Sequence, residues 1–500
     1  MREIDIDVGA KSESYAPLWK KMITAGRAAE GLRDDWRRQL AEVQREIGFE
    51  YIRFHGLFHD DMFIYNERSD GTVFYNWQYL DSLFDYLRSI GLKPFVELGF
   101  MPSALASGTT TMFWWKANVT PPKDYGKWTD LVSETVKHCV NRYGREEVAA
   151  WYFEVWNEPD YEGFWSGDQA EYFKLYEASV RGVKAIDPRF KVGGPSTTQF
   201  KQGQAPWVEA FLAYCASREL PVDFITNHPY PNDLITDLEG HTPLTYRGEE
   251  STADDLRWLR AAVARSAYPQ AEIHPTEWNT SFFSRDLVHD TAFMAPYVIQ
   301  NNVKSIGTAD SLGFWTFTDV FEEMGAGETL FHGGFGMMTL QGLKKPSYYG
   351  YWFLARLGSE RLASGDGFFA ARKGDRVQVL LWNYAHYGEA FAAGNASALK
   401  PLDRYSIFDG QTQRIVLSLS GARGKHRILT YRFGREHGSA YDEWLANGAL
   451  SDPTAEELSI LECRTGPQGS IDTADMTESW QRELSLAPHD VVLLEFIPEM

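Results

Sequence analysis

Eight short apolar runs that alternate strictly with eight helix-period segments predict a (β/α)8 TIM barrel between about residue 20 and residue 357. Several loops after the apolar runs are long and rich in Trp, Gly and Pro, and functional sites in such barrels are built from these loops. After about residue 360 the runs become alternating or β-branched, with turn residues between them, which is typical of an antiparallel β-sandwich. The predicted fold class is therefore α/β: a TIM barrel with a C-terminal antiparallel β-sandwich.

The barrel elements follow one another in chain order. Strands are predicted at residues 22–25, 51–55, 93–98, 151–155, 191–194, 224–227, 271–277 and 311–316. Helices are predicted at residues 35–47, 77–90, 125–143, 168–186, 206–219, 251–266, 291–305 and 345–357. Residues 62–65 and 72–75 flank Arg-Ser-Asp-Gly, which predicts a β-hairpin inserted after the second strand.

The remaining strands are predicted to form the sandwich. They lie at residues 376–382, 414–419, 426–431 and 491–497. The alternation of Ile4, Ile6 and Val8 predicts one more strand for the same sheets. We therefore expect an N-terminal strand associated with the sandwich (1–18), the barrel (19–357) and the sandwich (358–500).

The composition is that of a globular chain, and it disfavours two classes of partner. The sequence has 500 residues, 44% hydrophobic and 24% charged, so a large core can be buried. Its 49 Lys and Arg against 69 Asp and Glu give a net charge of −20, which argues against nucleic acid or an anionic membrane as partner. The sequence near Met1 has no signal-peptide-like apolar region and no run reaches membrane-spanning length, so we expect a cytoplasmic protein, with its oligomeric state open.

Two glutamates end predicted strands on opposite sides of the barrel. The fourth strand runs Trp-Tyr-Phe-Glu-Val-Trp-Asn-Glu-Pro and ends at Glu158, where the following Pro159 stops the strand. The seventh runs Glu-Ile-His-Pro-Thr-Glu and ends at Glu277. A single glutamate at a strand end is more often an ordinary surface charge. Together, however, the two carboxylates can flank a glycosidic bond, one to protonate the leaving group and the other to attack the anomeric carbon.

The sequence around these glutamates resembles glycoside hydrolase family 39, the β-xylosidase and α-L-iduronidase family. The motifs that carry the resemblance are YIRFHGLFHDD from Tyr51, PFVELGFMP from Pro94, NVTPPKDY from Asn118, FEVWNEPD from Phe153, KVGGP from Lys191, PVDF from Pro221, TEWNTS from Thr276, FWTFTDVFEE from Phe314 and FHGGFG from Phe331. They cover most of the barrel and are similar to those of bacterial β-xylosidases. The resemblance implies a retaining enzyme with Glu158 as general acid/base, Glu277 as nucleophile and a C-terminal β-sandwich. We further expect that the charge of Glu277 raises the pKa of Glu158.

Three of the predicted sugar-binding residues belong to the first four strands and the loops that follow them. The resemblance implies that Asn157 donates a hydrogen bond to a sugar 2-hydroxyl. His55 shares a strand face with Arg53, so we expect His55 to bind a sugar hydroxyl, whereas Arg53 either favours the ionised form of Glu277 or forms a structural ion pair. Trp115 is expected in the pocket wall.

No metal or cofactor is predicted. The run His55, His59, Asp60 and Asp61 superficially resembles a metal cluster, but no further ligand pattern recurs elsewhere in the sequence. The three cysteines are far apart and also give no metal-ligand spacing.

The other predicted sugar-binding residues follow the later strands. The resemblance places His228 and Tyr230 beside the nucleophile. Trp315, at the end of the eighth strand, is expected to lie under the sugar ring. Glu322 and Glu323 lie on the next loop, and their carboxylates can accept hydrogen bonds from sugar hydroxyls. Phe331 is expected in the pocket wall with Phe113.

Together these residues predict an enzyme that releases xylose from β-1,4-xylo-oligosaccharides and β-xylosides by double displacement. A uronide hydrolase of the same family, such as an α-L-iduronidase, is an alternative. It would need a cation near the uronate, whereas the loop after strand eight offers negative charge, so neutral sugars are favoured. A non-catalytic glycan-binding protein is a second alternative, but a binder does not need both carboxylates.

Overall fold

The structure is a computed structural model that describes residues 1–198, 207–234, 243–320, 323–395, 403–477 and 479–499. Within these ranges, no helix combines the length and the apolar character needed to span a bilayer.

The elements are numbered in chain order. The strands are β1 (Arg2–Asp7), β2 (Glu13–Ser14), β3 (Met22–Arg27), β4 (Tyr51–His55), β5 (Tyr65–Glu67), β6 (Val73–Tyr75), β7 (Lys93–Leu98), β8 (Thr111–Met112), β9 (Ala117–Asn118), β10 (Tyr152–Val155), β11 (Lys191–Thr197), β12 (Phe224–Asn227), β13 (Asn232–Leu234), β14 (Leu244–Tyr246), β15 (Glu272–Pro275), β16 (Glu360–Gly365), β17 (Phe368–Lys373), β18 (Arg376–Trp382), β19 (Gln413–Ser420), β20 (Gly424–Phe433), β21 (Gln468–Met476), β22 (Ser479–Leu486) and β23 (Val491–Pro498). The α-helices are α1 (Asp34–Glu46), α2 (Gln78–Ser89), α3 (Tyr125–Tyr143), α4 (Arg145–Val148), α5 (Gln169–Ile186), α6 (Trp207–Ser217), α7 (Ser251–Ala264), α8 (Met294–Lys304), α9 (Pro346–Arg356), α10 (Glu389–Ala392), α11 (Ala440–Ala446) and α12 (Ala455–Arg464).

Parallel strands form the barrel wall, and a single residue closes it. In the described part of the chain the sheet has the order β15-β12-β11-β10-β7-β4-β3. The predicted eighth strand is reduced to an isolated pairing, in which Phe314 bridges both Ile23 of β3 and Trp278 just after β15. Backbone hydrogen bonds on either side, from Trp315 N to Trp278 O (3.0 Å) and from Phe317 N to Thr24 O (3.0 Å), extend this closure. The α/β barrel fold class is confirmed.

The N-terminal end of the barrel is filled by five inward-facing side chains. Met22, Tyr51, Phe95, Tyr152 and Phe224 form one buried cluster, one from each of five strands. The rings of Phe95 and Tyr152 stack with their centroids 4.8 Å apart. Because this end is packed, only the opposite end, where the strands finish, can hold a substrate.

Helices pack closely around the sheet, as α3 and α5 illustrate. Asp124 caps α3 by accepting hydrogen bonds from two amides of its first turn. The buried Trp128 of α3 donates its indole hydrogen to Ser179 Oγ on α5 (2.8 Å). A Cβ at Gly182 would lie 2.9 Å from the carbonyl oxygen of Thr129, so the glycine permits this approach of the two helices.

The C-terminal region contains two facing sheets. In the described residues one has the order β2-β16-β17-β18-β23-β20-β21 and the other β1-β19-β22. Strand β1 pairs in parallel with β19, as the alternation of Ile4 and Ile6 predicts, and these two side chains join a core with Leu417, Val379 and Leu494. The β-sandwich is therefore confirmed, while the domain boundaries at residues 18 and 357 stay a prediction. Strands β16, β17, β21 and β22 and helices α11 and α12 lie outside the predicted elements.

Candidate active site

Glu158 and Glu277 follow β10 and β15 and turn into the open end of the barrel. Glu158 has a positive φ of 44°, and so has Trp156 two residues earlier, at 70°. Such backbone conformations are costly for residues with a side chain, and they occur most often where function requires them. The amide of Glu158 donates to the carbonyl of Ser196 (2.8 Å), which holds this turn against the neighbouring strand.

The two carboxylates lie close together. An oxygen of Glu158, an oxygen of Glu277 and a ring nitrogen of His228 all lie within 4.8 Å of one another. Retaining glycosidases have their carboxyl groups about 5–5.5 Å apart, whereas inverting enzymes need roughly 6.5–9.5 Å to admit a water molecule. The observed spacing fits the retaining geometry.

The same three groups could also hold a metal ion, since each offers one ligand atom. Their surroundings are less suited to one. Arg53 Nη1 donates to Glu277 Oε1 at 2.6 Å, and Tyr230 donates to the other oxygen of Glu277 at 3.0 Å. A cation at Glu277 would therefore compete with a fixed guanidinium charge.

Arg53 joins the carboxylates beneath the site. Its completely buried guanidinium donates to Glu154 Oε2 (2.8 Å) and Asn157 Oδ1 (2.8 Å), besides Glu277, and lies 2.8 Å from Glu97 Oε2. Burial alone would lower the pKa of Arg53, but the carboxylates of Glu154, Glu97 and Glu277 outweigh it and raise the pKa above its usual value. The structure therefore shows Arg53 as part of a buried ion-pair network, and its hydrogen bond to Glu277 fixes one carboxylate oxygen in place.

Asn157 lies in this network rather than on the pocket surface. The residue is 1% exposed, and its side-chain oxygen accepts the hydrogen bond from Arg53. Its amide nitrogen remains the group that can face a sugar hydroxyl, as the sequence predicts.

His55 lies between the nucleophile and a buried carboxylate. Its Nδ1 is 2.6 Å from Glu97 Oε2, and its Nε2 is 3.4 Å from Glu277 Oε1. Burial alone would raise the pKa of Glu97, but the charges of His55 and Arg53 lower it below its usual value. The ring of His55 packs 4.8 Å from that of Trp315, so it also forms part of the pocket wall.

The run from His55 to Asp61 does not converge as a metal site. His59 instead pairs with Asp61 (2.8 Å) and packs edge-on against Trp115 at 4.9 Å. Asp60 accepts a hydrogen bond from the amide of Ser103 (2.9 Å).

His228 contacts Glu158 directly. Its Nδ1 is 2.6 Å from Glu158 Oε1, and its Nε2 is 3.1 Å from Ser196 Oγ and 3.2 Å from Thr276 Oγ1. Burial lowers the pKa of His228 to about 4, so the ring is neutral near pH 7. The hydroxyl of Thr276 donates to Glu154 Oε1 (2.8 Å), which leaves its oxygen free to accept from Nε2–H.

This arrangement suits a protonated Glu158. Burial, reinforced by the charge of Asp160, raises the pKa of Glu158 to about 8. A protonated Glu158 can donate to a bare Nδ1 of His228, which is the tautomer that the Thr276 contact favours. The sequence predicts that the charge of Glu277 raises the pKa of Glu158, whereas in the structure the principal cause is burial.

Aromatic side chains enclose the sugar position. Tyr230, Trp315 and Phe335 form one cluster against Phe282. Burial raises the pKa of Tyr230, and the nearby charge of Glu277 raises it further, so the phenol stays protonated and donates to Glu277 Oε2. Trp315 is 2% exposed on the pocket wall, where its ring can cover one face of a sugar.

The site opens into a cavity of 490 Å³, a size typical of small-ligand pockets. Its described lining residues are His55, Met112, Phe113, Glu158, Tyr161, Phe164, Thr198, Tyr230, Leu234, Glu277, Phe282, Phe283, Ser284, Trp315, Glu323, Met324 and Phe335. Burial raises the pKa of Glu323 well above its usual value, and the charges of Glu277 and Glu158 add to the effect. When it is protonated, this carboxyl group can also donate a hydrogen bond to a sugar.

Four predicted residues whose positions are described do not line this cavity: Trp115, Asn157, His228 and Phe331. Trp115 lines a separate small cavity beside Arg27, and the Arg27 guanidinium lies 4.8 Å from its ring centroid. Phe331 lines a second large cavity, where its ring packs 5.3 Å from that of Trp444, so it does not form part of the wall around Glu158 and Glu277. Glu322 lies outside the described residues.

Comparisons with known proteins place this chain among glycoside hydrolases. The sequence model of Glycosyl hydrolases family 39 matches residues 2–477. The chain is 34% identical to a β-xylosidase of Caldicellulosiruptor saccharolyticus, over 98% of this chain and 97% of the relative, and 42% identical to a β-xylosidase of Geobacillus stearothermophilus, over 74% and 75%. The crystal structure of a monomeric β-xylosidase from Caulobacter crescentus superposes with a TM-score of 0.91 at 33% identity, covering 100% of both chains.

Proposed function

The chain belongs to glycosyl hydrolases family 39, and we propose that it is a retaining β-xylosidase that releases xylose from β-1,4-xylo-oligosaccharides and β-xylosides. The observation that carries the proposal is the pairing of a protonated and an attacking carboxylate within 4.8 Å of each other. The β-xylosidase names of the relatives support xylose as the sugar.

In the first step Glu277 is the nucleophile and Glu158 the acid. An oxygen of Glu277 attacks the anomeric carbon as the bond from that carbon to the glycosidic oxygen breaks. Glu158 gives its proton to this oxygen, so the aglycone leaves as a neutral alcohol and the xylosyl group stays as an ester on Glu277. Arg53 and Tyr230 hold the two oxygens of Glu277, which fixes the carboxylate for attack.

In the second step Glu158 acts as a base. Its carboxylate removes a proton from water, the hydroxyl attacks the anomeric carbon, and the ester bond to Glu277 breaks. Two displacements at the same carbon retain the configuration. The cycle leaves Glu158 protonated and Glu277 as a carboxylate, and no other proton donor is required.

The cavity fits a neutral sugar better than a uronide. None of the described residues that line it is Lys or Arg, and Arg53 is completely buried beneath it among carboxylates. A uronate in the reacting position would face the Glu277 carboxylate without a cationic partner in the described lining. This favours the xylosidase over the uronide hydrolase. A protein that only binds glycans would not need a protonated carboxyl group beside a carboxylate.

A panel of aryl glycosides combined with covalent trapping tests the proposal. We expect turnover of aryl β-xylosides, little turnover of aryl uronides, and retained configuration of the first-formed sugar by NMR. A 2-deoxy-2-fluoro-xyloside should label Glu277, because the fluorine destabilises the oxocarbenium-like transition state and slows hydrolysis of the ester.

Two variants complete this test. Glu277→Ala should lose nearly all turnover of every glycoside, since the first step itself is lost. Glu162→Gln, which changes an exposed carboxyl on the loop after Glu158, is the matched control and should remain active. A label on another carboxylate, or an inverted product, would contradict the assignment.

We also propose that residues 19–357 form the catalytic barrel and residues 358–500 an accessory β-sandwich that includes a strand from residues 1–18. The pairing of β1 with β19 and of β2 with β16 supports this division.

A further inference from the structure

A second large cavity lies beside the first. It has a volume of 610 Å³ and opens between the loop around Met324 to His332 and helix α11 of the C-terminal region. Met324, which is 68% exposed, lines both cavities. The second cavity therefore adjoins the mouth of the active-site cavity at Met324, where the part of a substrate that extends out of the first cavity can reach it.

Its walls are suited to a sugar. Tyr441 and Trp444 of α11 and Phe331 of the barrel loop form a cluster of aromatic rings. The Phe331 ring lies 5.3 Å from Trp444 and 5.8 Å from Tyr441. Aromatic faces of this kind cover the apolar faces of sugar rings. The volume, which exceeds that of the active-site cavity, leaves room for more than one residue of an oligosaccharide.

Its charge is the opposite of that of the whole chain. Arg285, Arg404 and His332 line it, with Glu328 as the one carboxylate among the described lining residues. Arg285 donates to the carbonyl oxygens of Ser284 and Gly325, and its charge also acts on the carboxyl group of Glu323. On a chain with a net charge of −20, this positive region is a local exception that would attract an anion.

We propose that this cavity binds a uronate substituent carried on the aglycone side of a xylo-oligosaccharide. The inference rests on the proposed xylosidase function and narrows its substrate class to acidic xylo-oligosaccharides whose non-reducing xylose is unsubstituted. The two cavities differ in charge. The first has no described Lys or Arg in its lining and binds the neutral xylose, while the second offers two guanidinium groups. Guanidinium groups bind carboxylates in a bidentate manner, and neither Arg285 nor Arg404 has an ion pair with a carboxylate among the described residues.

Kinetics on a matched pair of substrates test this. The pair is xylotetraose and the same oligosaccharide with a glucuronate on an internal xylose toward the reducing end, compared as kcat/KM for xylose release. Wild-type protein should prefer the acidic substrate at low ionic strength, and salt should reduce that preference while the neutral substrate is little affected. Arg404→Ala should lower the ratio of acidic to neutral kcat/KM about tenfold, and Arg404→Glu should lower it further.

Two further variants complete the design. Arg404→Lys retains the charge and should keep part of the preference. Arg376→Ala removes an exposed arginine at the start of β18, outside both cavities, and should leave the ratio unchanged.

The outcomes separate this inference from the proposed function. If wild-type protein does not hydrolyse aryl β-xylosides, the xylosidase function itself fails. If it does, but the ratio is unchanged in both Arg404→Ala and Arg404→Glu, the uronate site is refuted alone. Equal losses on both substrates in Arg404→Ala would likewise refute it, because they would indicate damage to the fold or to neutral binding.

Discussion

Replacing Asp160 by Asn should move the alkaline limit of activity to lower pH. Glu158 must be protonated to assist departure of the leaving group, so kcat/KM should fall as the pH rises through the pKa of Glu158 at about 8. Asp160 is one of the causes of that raised pKa. Its carboxylate is held by the amide (2.9 Å) and the hydroxyl (2.7 Å) of Thr198, and an asparagine of the same shape can keep both contacts.

The size of the shift follows from the causes of the raised pKa. The rise in the pKa of Glu158 from 4.5 to about 8 corresponds to a free-energy cost of about 5 kcal/mol for the ionised form, at about 1.4 kcal/mol per pKa unit. Burial is the larger cause and is unchanged by the substitution. A unit charge on the order of 8 Å away contributes about 2 kcal/mol at an effective dielectric constant of about 20. The buried Asp160 has a raised pKa of its own and is only partly ionised, so we expect a decrease of about one unit.

The assay is the pH dependence of kcat/KM on an aryl β-xyloside between about pH 5 and 10. The alkaline limb should lie near pH 8 in wild-type protein and near pH 7 in Asp160→Asn. Glu162→Gln, on the same loop but exposed, should behave as wild type. An alkaline limb that stays at pH 8 in Asp160→Asn would refute the electrostatic explanation. A limb that persists in Glu158→Gln would show that another group titrates.

Further substitutions and treatments test the remaining parts of the site. Glu158→Ala should reduce turnover most for poor leaving groups, and azide should restore activity with formation of a β-xylosyl azide; equal losses for good and poor leaving groups would exclude the acid role. Tyr230→Phe should reduce kcat about tenfold or more at an unchanged Tm, because a hydrogen bond to a charged group contributes about 1.5–3 kcal/mol; an unchanged kcat would mean that the 3.0 Å contact with Glu277 does not assist attack. Chelator treatment should leave activity unchanged, whereas a loss reversed by a divalent ion would identify Glu158, His228 and Glu277 as a metal site.

The sequence predicts best those elements whose pattern is local. The bounds of β4, β7, β12, α3 and β18 agree with the predicted ranges to the residue. The eighth barrel strand is predicted as six residues, but it forms β-bridges only at Phe314. There it pairs with Ile23 of β3 and with Trp278 just after β15, at the seam where the barrel closes. The end of β10 agrees with the prediction at residue 155, whereas β15 ends at Pro275, two residues before the predicted end at residue 277.

Residues that act through long-range contacts were not predictable in the same way. Glu97 lies inside an ordinary-looking buried strand, and its importance appears only when the register of β4 on β7 brings it to His55 and Arg53. Its signal in the sequence was a charged residue within an apolar run. Phe331 was assigned to the pocket because α11, which covers it with Trp444, belongs to the part of the sequence with the weakest pattern.

The pairing of β1 with β19 has a consequence for biosynthesis. Ile4 lies opposite Leu417, so the whole barrel is synthesised between the two strands of this pair. Closing a flexible loop of that length would cost roughly 5 kcal/mol of chain entropy, and a folded barrel removes part of that cost by holding its two ends in place. On the ribosome β1 therefore emerges before the barrel and remains an unpaired strand until residues 413–420 have been made. During that interval its Ile4 and Ile6 are open to pairing with other nascent chains, which makes this strand the point at which incomplete molecules are expected to aggregate.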